Sequence, residues 1–132
     1  MKYFNLAKSV SQLSDYKHQH IGCVVVLGKH VISVGYSTNR THPIQMYYNQ
    51  YRDLYGDHIE HKLHAECYAL GRIRHLDIDW SKVEIYIYRE HKNTGVRALA
   101  APCPACMAFI RELGIKDIFY TGNDSWVHER VG

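Results

Sequence analysis

Two stretches of the chain, His64-Ala65-Glu66 and Pro102-Cys103-Pro104-Ala105-Cys106, decide how the rest of it is interpreted. Together they supply one imidazole and two thiolates, the ligand set of a tetrahedral zinc site that lacks its fourth protein ligand. A position left open to water is typical of catalytic zinc sites rather than structural ones. Glu66 lies next but one to the histidine, where a carboxylate can move protons on and off that water.

Neither motif is specific by itself, because redox-active cysteine pairs and half zinc fingers also contain C-x-x-C. Here the two motifs are joined at a separation of 39 residues, from His64 to Cys103, and prolines stand at positions 102 and 104. The combination is the H-x-E…P-C-x-x-C signature of zinc-dependent nucleobase deaminases. The chain therefore resembles the cytidine and deoxycytidylate deaminase superfamily, from its first predicted helix to a predicted strand at 115–120.

The resemblance implies a hydrolytic deamination of a small nucleoside or nucleotide (cytidine, deoxycytidine or dCMP), in which cytosine becomes uracil and ammonia is released. It implies one catalytic Zn²⁺ per chain and makes Glu66 the proton-transfer residue. It also places the peptide N–H of Ala65 and the carbonyl of Ala101 against the polar edge of the base. The implied zinc ligands are His64, Cys103 and Cys106.

At the position that contacts the sugar in many relatives, this chain departs from their pattern. Many relatives carry Asn in a Gly-Tyr-Asn segment after the second strand, whereas this chain reads Gly35-Tyr36-Ser37-Thr38-Asn39. Ser37 occupies the matching position, and Asn39 follows two residues later. Asn39 is therefore our candidate for contact with the substrate, and an ordinary loop asparagine is the alternative.

A nucleotide substrate would also need a cation for its 5′-phosphate. All candidates lie in predicted loops, and a solvated surface charge is the simpler interpretation of each; they are Arg40, Arg89, Lys92 and Arg97. Aromatic residues that offer a face for stacking on a base are Tyr48, Tyr55, Tyr88 and Trp126.

The apolar pattern predicts the element order α-β-β-α-β-α-β followed by a tail. Both ligand motifs fall at predicted helix starts, where backbone N–H groups and the helix dipole favour anionic thiolates. The fold expected from this order is a three-layer α/β/α sandwich around a mixed central sheet, which is also the fold of the superfamily. A short helix over the sheet or a substrate-closing flap is expected within 37–63. The predicted ranges are a helix at 3–16, strands at 20–27 and 31–36, a helix at 65–76, a strand at 83–88, a helix at 104–113 and a strand at 115–120.

Composition sets the remaining expectations. With 132 residues, 46% of them hydrophobic and 22% charged, the chain is expected to form one domain over residues 1–132. It has neither a secretory signal pattern nor an apolar run of the roughly 20 residues that cross a bilayer, so we expect a cytoplasmic protein without a membrane partner. The net charge of +3 is spread along the chain, which argues against a polymeric nucleic acid as partner.

Several alternatives stay open at this stage. A transfer-RNA adenosine deaminase or a guanine-type deaminase uses the same ligand pattern. If Cys67 were a fourth ligand, the zinc would be closed and structural, and the chain would be a non-catalytic module. A second, structural zinc bound by Cys23, His58 and His61 is a further alternative, with surface histidines as the simpler interpretation. Relatives pack helix faces between subunits, so a homo-oligomer is expected.

Overall fold

The computed structural model describes residues 2–16, 19–51, 62–123 and 125–132. Short 3₁₀ turns lie at Asn49–Tyr51 and Trp80–Lys82. The helices are α1 (Lys2–Ser11), α2 (Pro43–Tyr48), α3 (Ala65–Gly71) and α4 (Pro104–Leu113), and the strands are β1 (Gln19–Leu27), β2 (His30–Tyr36), β3 (Val83–His91), β4 (Asp117–Thr121) and β5 (Trp126–Arg130).

Within the described residues the strands form one sheet in the order β2-β1-β3-β4-β5. β1 pairs antiparallel with both β2 and β3, β3 pairs parallel with β4, and β4 pairs antiparallel with β5. Helix α1 packs on one face, and the core that contains α2, α3 and α4 covers the other. This arrangement confirms the predicted α/β/α sandwich with a mixed sheet.

The central strand β1 explains why the sheet is covered on both faces. Val24 and Val26 belong to the core beneath α1, whereas Cys23 and Val25 belong to the core beneath α3 and α4. All four side chains are fully buried. An unbroken apolar run is therefore needed here, because alternate residues of a strand point to opposite faces and both faces are dry.

The predicted element boundaries were wrong in four places. Helix α1 ends at Ser11 rather than at 16. Helix α3 ends at Gly71 rather than at 76, and Ile73 is buried from the turn that follows it. Strand β3 continues to His91, so Arg89 lies in the sheet and not in a loop. The tail forms an edge strand, β5, whose burial alternates only weakly and whose sequence is largely polar. In the segment 37–63, α2 provides the expected short helix, and residues 52–61 lie outside the described part.

Among the helices in the described ranges, none combines the length and apolar character that crossing a bilayer requires.

Helix α3 lies very close to the sheet. A Cβ atom placed on Gly35 of β2 would be 2.5 Å from the backbone N of Ala69 and 2.6 Å from the carbonyl O of Ala65. Only glycine allows this approach, which fixes the height of α3 above the sheet.

We expect Gly35→Ala to lower the free energy of unfolding by about 1–3 kcal/mol, because two backbone atoms of α3 must move to admit the methyl group. Gly71→Ala is the matched control, since a Cβ there meets the flexible end of the Ile44 side chain at 3.0 Å. Urea denaturation followed by circular dichroism measures both. Equal stability of the Gly35→Ala variant and the wild type would contradict the close packing of α3 on β2.

Candidate active site

The predicted metal ligands lie at the starts of two neighbouring helices. His64 is the N-cap residue of α3 and Cys103 is the N-cap residue of α4, both with extended backbone angles, and neither side chain caps its own helix. Pro104 occupies the first turn of α4, where its missing N–H costs nothing. Both side chains are therefore available to a common site, and Cys106 joins them from the first turn of α4.

The three ligand atoms converge. The Nδ1 atom of His64 lies 3.5 Å from the Sγ of Cys103 and 3.5 Å from the Sγ of Cys106, and all three ligand atoms lie within 4.8 Å of one another. Tetrahedral zinc with typical bond lengths separates sulfur from nitrogen by about 3.5 Å. The donor set and its spacing therefore fit a zinc ion bound through Nδ1 of the histidine.

Hydrogen bonding between the thiols favours a thiolate at this site. The hydrogen bond from Cys106 lowers the pKa of Cys103 to about 4, and the same interaction raises the pKa of the Cys106 thiol. His64 contributes to the lowering at Cys103. A thiolate is the form of cysteine that binds metal, so the lowered pKa of Cys103 favours metal binding.

Cys67 lies next to this cluster without being part of it. Its Sγ is 3.6 Å from the Sγ of Cys106, and its side chain is fully buried in the core beneath α3. It does not belong to the group whose ligand atoms all lie within 4.8 Å of one another. The geometry thus favours three protein ligands over four.

The alternative second zinc site lies only partly within the described residues. Cys23 is a fully buried member of β1 within the core. His58 and His61 lie outside the described residues, so a metal bound by these three residues stays a prediction.

Glu66 is a buried carboxylate in the first turn of α3, with 5% of its surface exposed. Burial raises its pKa, and the neighbouring His64 opposes that shift. The carboxylate lines a cavity of about 450 Å³ that also reaches His64 and Cys103. The remaining described lining residues are Tyr16, Gln19, Ile21, Ser37, Thr38, Lys62, Leu63, Arg89, Ala100 and Ala101.

A buried glutamine holds the start of α3 in place. The Oε1 atom of Gln45 accepts a hydrogen bond from the backbone N–H of His64 at 2.9 Å, and its Nε2 donates to Oδ1 of Asn49 at 2.9 Å. Gln45 is fully buried between α2 and α3. Sequence reasoning missed this residue, because a lone polar side chain in an aromatic segment carries no motif.

Of the other residues predicted to contact the substrate, some line the cavity and some do not. Ala101 lines the cavity, and Ala65 is fully buried as the first residue of α3. Asn39 is not among the described lining residues. Its Nδ2 donates to the carbonyl of Asp15 at 2.6 Å, and its backbone N–H donates to Oδ1 of Asp15 at 2.9 Å. Contact between Asn39 and a substrate therefore stays a prediction, while Ser37 does line the cavity.

Two of the side chains that were candidates for binding a phosphate line different cavities. Arg89 lines the cavity that holds Glu66, and so does Lys62, which the sequence did not single out. A second, larger cavity of about 880 Å³ lies between α2 and α3, and Arg40 lines this one, 6.0 Å from the ring centre of Tyr68. Sequence position alone could not make this division.

The last two candidate cations lie elsewhere. Arg97 stacks on Trp126 at 4.9 Å, and Lys92 is exposed in the turn after β3. Of the candidate aromatic residues, Tyr48 donates a hydrogen bond to Glu112 at 2.6 Å, and Tyr88 belongs to the core beneath α1. Tyr55 lies outside the described residues. Tyr16, which sequence reasoning passed over, is the tyrosine in the described lining of the cavity.

Comparison with known proteins agrees with this geometry. The sequence model of the cytidine and deoxycytidylate deaminase zinc-binding region matches residues 1–122. The chain belongs to this family.

Solved structures of dCMP deaminase from the cyanophage S-TIM5 share the fold. The apo form is 22% identical, with a TM-score of 0.62 over 92% of this chain and 80% of that chain. The form in complex with dCMP and dUMP is 20% identical, with a TM-score of 0.61 over 90% of this chain and 77% of that chain. Comparison with curated proteins finds no match.

We expect the purified protein to retain one zinc ion per chain after dialysis, and Cys103→Ala and Cys106→Ala to lose it, because each removes one of three converging ligand atoms. Cys67→Ala is the matched control and should keep the metal. Elemental analysis by mass spectrometry measures all four proteins.

Two results of that analysis would contradict the assignment. Loss of zinc from Cys67→Ala as complete as from Cys106→Ala would indicate a closed site with four protein ligands. Two zinc ions per wild-type chain, reduced to one by Cys23→Ala, would instead establish the second site with His58 and His61.

Proposed function

We propose that this chain is a zinc-dependent hydrolytic deaminase that converts the cytosine of a small nucleoside or nucleotide to uracil, with dCMP as the first candidate substrate. The observation that carries the proposal is the convergence of a His-Cys-Cys cluster and a buried glutamate on one cavity. Membership of the deaminase family supports the reaction class. The S-TIM5 enzyme in complex with dCMP and dUMP supports a nucleotide as ligand.

The residues that would hold the metal are His64, Cys103 and Cys106. Zinc bound there would supply Lewis acidity that lowers the pKa of the attacking water toward about 7. Three protein ligands leave one coordination position for that water, in contrast to the four ligands of a structural site.

Glu66 would carry the protons. Its carboxylate accepts a proton as water attacks C4 of the cytosine ring and delivers it to the ring nitrogen N3. A proton then passes through the same carboxylate to the amino group, which leaves as ammonia. The raised pKa of Glu66, caused by burial, suits a group that must both accept and donate a proton near neutral pH.

Backbone groups would orient the base. Ala65 begins α3, so its peptide N–H is one that the helix does not use for its own hydrogen bonds. Ala101, whose carbonyl immediately precedes Pro102 in the chain, lines the cavity. A donor and an acceptor in these positions match the acceptor and donor atoms along the polar edge of cytosine.

The expected homo-oligomer, the cytoplasmic location and the single domain over residues 1–132 remain predictions. Three of the exposed apolar side chains that a subunit interface could cover lie on and just after α2, namely Met46, Tyr47 and Tyr51.

We expect zinc-loaded protein to deaminate at least one compound in a panel of cytidine, deoxycytidine, CMP, dCMP, cytosine, adenosine and guanine, with a cytosine compound preferred. Glu66→Gln should lower kcat by about 10²–10⁴-fold while zinc content is unchanged, because the proton carrier is lost and the ligands are not. Glu84→Gln, at the far end of β3, is the matched control. Ultraviolet absorbance follows the reaction. Normal turnover by zinc-containing Glu66→Gln would exclude the proposed role of Glu66.

Asn39→Ala tests the predicted contact with the sugar. If Asn39 reaches the substrate, KM for the preferred nucleoside or nucleotide should rise clearly while kcat changes little. A KM within about twofold of the wild-type value would instead assign Asn39 to the loop contact with Asp15 that the structure shows.

A further inference from the structure

Arg89 occupies an unusual position for a cation. It lies near the end of β3, opposite Ile21 of β1, and its side chain lines the cavity that contains Glu66. The proposed deamination chemistry gives Arg89 no role, because neither the metal cluster nor the proton carrier needs a guanidinium.

The side chain of Arg89 is held on one side and unsatisfied on the other. Its Nη1 donates to the carbonyl of Leu99 at 3.0 Å, while its backbone N–H donates to Oγ1 of Thr121 at 3.2 Å. Its Nε is buried without a hydrogen-bond partner. In the described part of the chain no carboxylate lies within ion-pair distance of this guanidinium.

Leaving a half-buried guanidinium without a counter-ion is costly. Burial lowers the pKa of Arg89, but a guanidinium keeps its proton in proteins, so the charge itself must be compensated. Glu66 is the only carboxylate among the described lining residues, and its electrostatic influence on Arg89 is the favourable one. Because Glu66 would exchange protons during the reaction, it is unsuited to serve as a permanent partner.

An anionic part of the ligand would compensate the charge. Phosphate is bound in a fork by guanidinium groups, through two parallel charge-assisted hydrogen bonds. The cavity of about 450 Å³ falls within the range that holds a small organic ligand, and Lys62 adds a second positive charge to its lining.

The geometry points to Arg89 as the residue that binds the 5′-phosphate of the substrate and thereby makes this site select a nucleotide over a nucleoside. The inference rests on the proposed function, since it assigns a role within the same cavity. It also distinguishes Arg89 from two of the candidate cations, because Arg97 stacks on Trp126 and Lys92 lies in an exposed turn.

The test compares dCMP with deoxycytidine, which differ only in the phosphate. Arg89→Met should lower kcat/KM for dCMP by about tenfold to a hundredfold, mainly through KM, and should change kcat/KM for deoxycytidine by less than about threefold. Arg89→Lys should recover part of the loss, since it keeps the charge without the fork. Lys92→Met, which removes one exposed positive charge, is the matched control and should match the wild type on both substrates.

A second measurement does not depend on a substitution. Phenylglyoxal modifies accessible arginines, and peptide mass spectrometry reports the rate at Arg89 in the zinc-loaded wild-type protein. We expect dUMP and inorganic phosphate to slow modification at Arg89, and deoxyuridine to have little effect. Modification at Arg97 should be unaffected by any of the three.

The outcomes separate this inference from the proposed function. Equal losses on dCMP and deoxycytidine in Arg89→Met, or equal protection of Arg89 by dUMP and deoxyuridine, would overturn the phosphate assignment while deamination stands. Protection of Arg89 by dUMP in a protein that deaminates no cytosine compound would support the phosphate assignment while the proposed function fails.

Discussion

The site depends on two helix starts, distant in sequence, being held on the same face of one sheet. Gly35 lets α3 lie against β2 with backbone atoms in close approach, and Gln45 holds the backbone of His64 from α2. Helix α4 then brings Cys103 and Cys106 to within 3.5 Å of the imidazole. Small shifts of either helix would separate ligand atoms whose spacing now matches that of tetrahedral zinc.

The same packing buries charged side chains, and a buried charge without a partner costs free energy. Glu66 is buried in the first turn of α3, and its carboxylate has a raised pKa because burial disfavours its charged form. Arg89 enters the cavity from β3 with its charge only partly compensated. A ligand that brings an anion to one residue and a reacting ring to the other would relieve both costs.

Much of this arrangement could be predicted from the sequence where local chemistry and tertiary structure coincide. The valine-rich sequence of β1 is typical of a strand buried on both faces. Pro104 and Gly114 are typical of the start and end of a helix, and Gly114 has the left-handed φ of 92° that suits glycine. The family motif then predicted that His64, Cys103 and Cys106 share one metal site. Strand β5 was missed because its pairing with β4, rather than an apolar pattern, defines it.

What the sequence could not supply was placement of side chains from irregular or mispredicted segments. Tyr16 was predicted to end the first helix, which in fact ends at Ser11. Lys62 belongs to a segment without periodicity, and both residues line the cavity. Arg89 was predicted to lie in a loop with Arg97, yet the longer β3 directs the two arginines to different surroundings. Asn39, two residues beyond the position of the Asn in relatives, was the candidate for substrate contact, and its amide donates to the carbonyl of Asp15. Such differences arise from strand pairing and loop geometry, which a single sequence does not encode locally.

The central claim, that the His-Cys-Cys cluster and Glu66 form a zinc-dependent deaminase site, is tested most directly by following the ultraviolet absorbance of dCMP and deoxycytidine with zinc-loaded, chelator-treated and zinc-restored protein. The account predicts turnover by the loaded protein, its loss when zinc is removed, and its recovery when zinc is returned. Undiminished turnover after verified removal of zinc would contradict the account, and so would the absence of turnover of any cytosine compound by fully loaded protein.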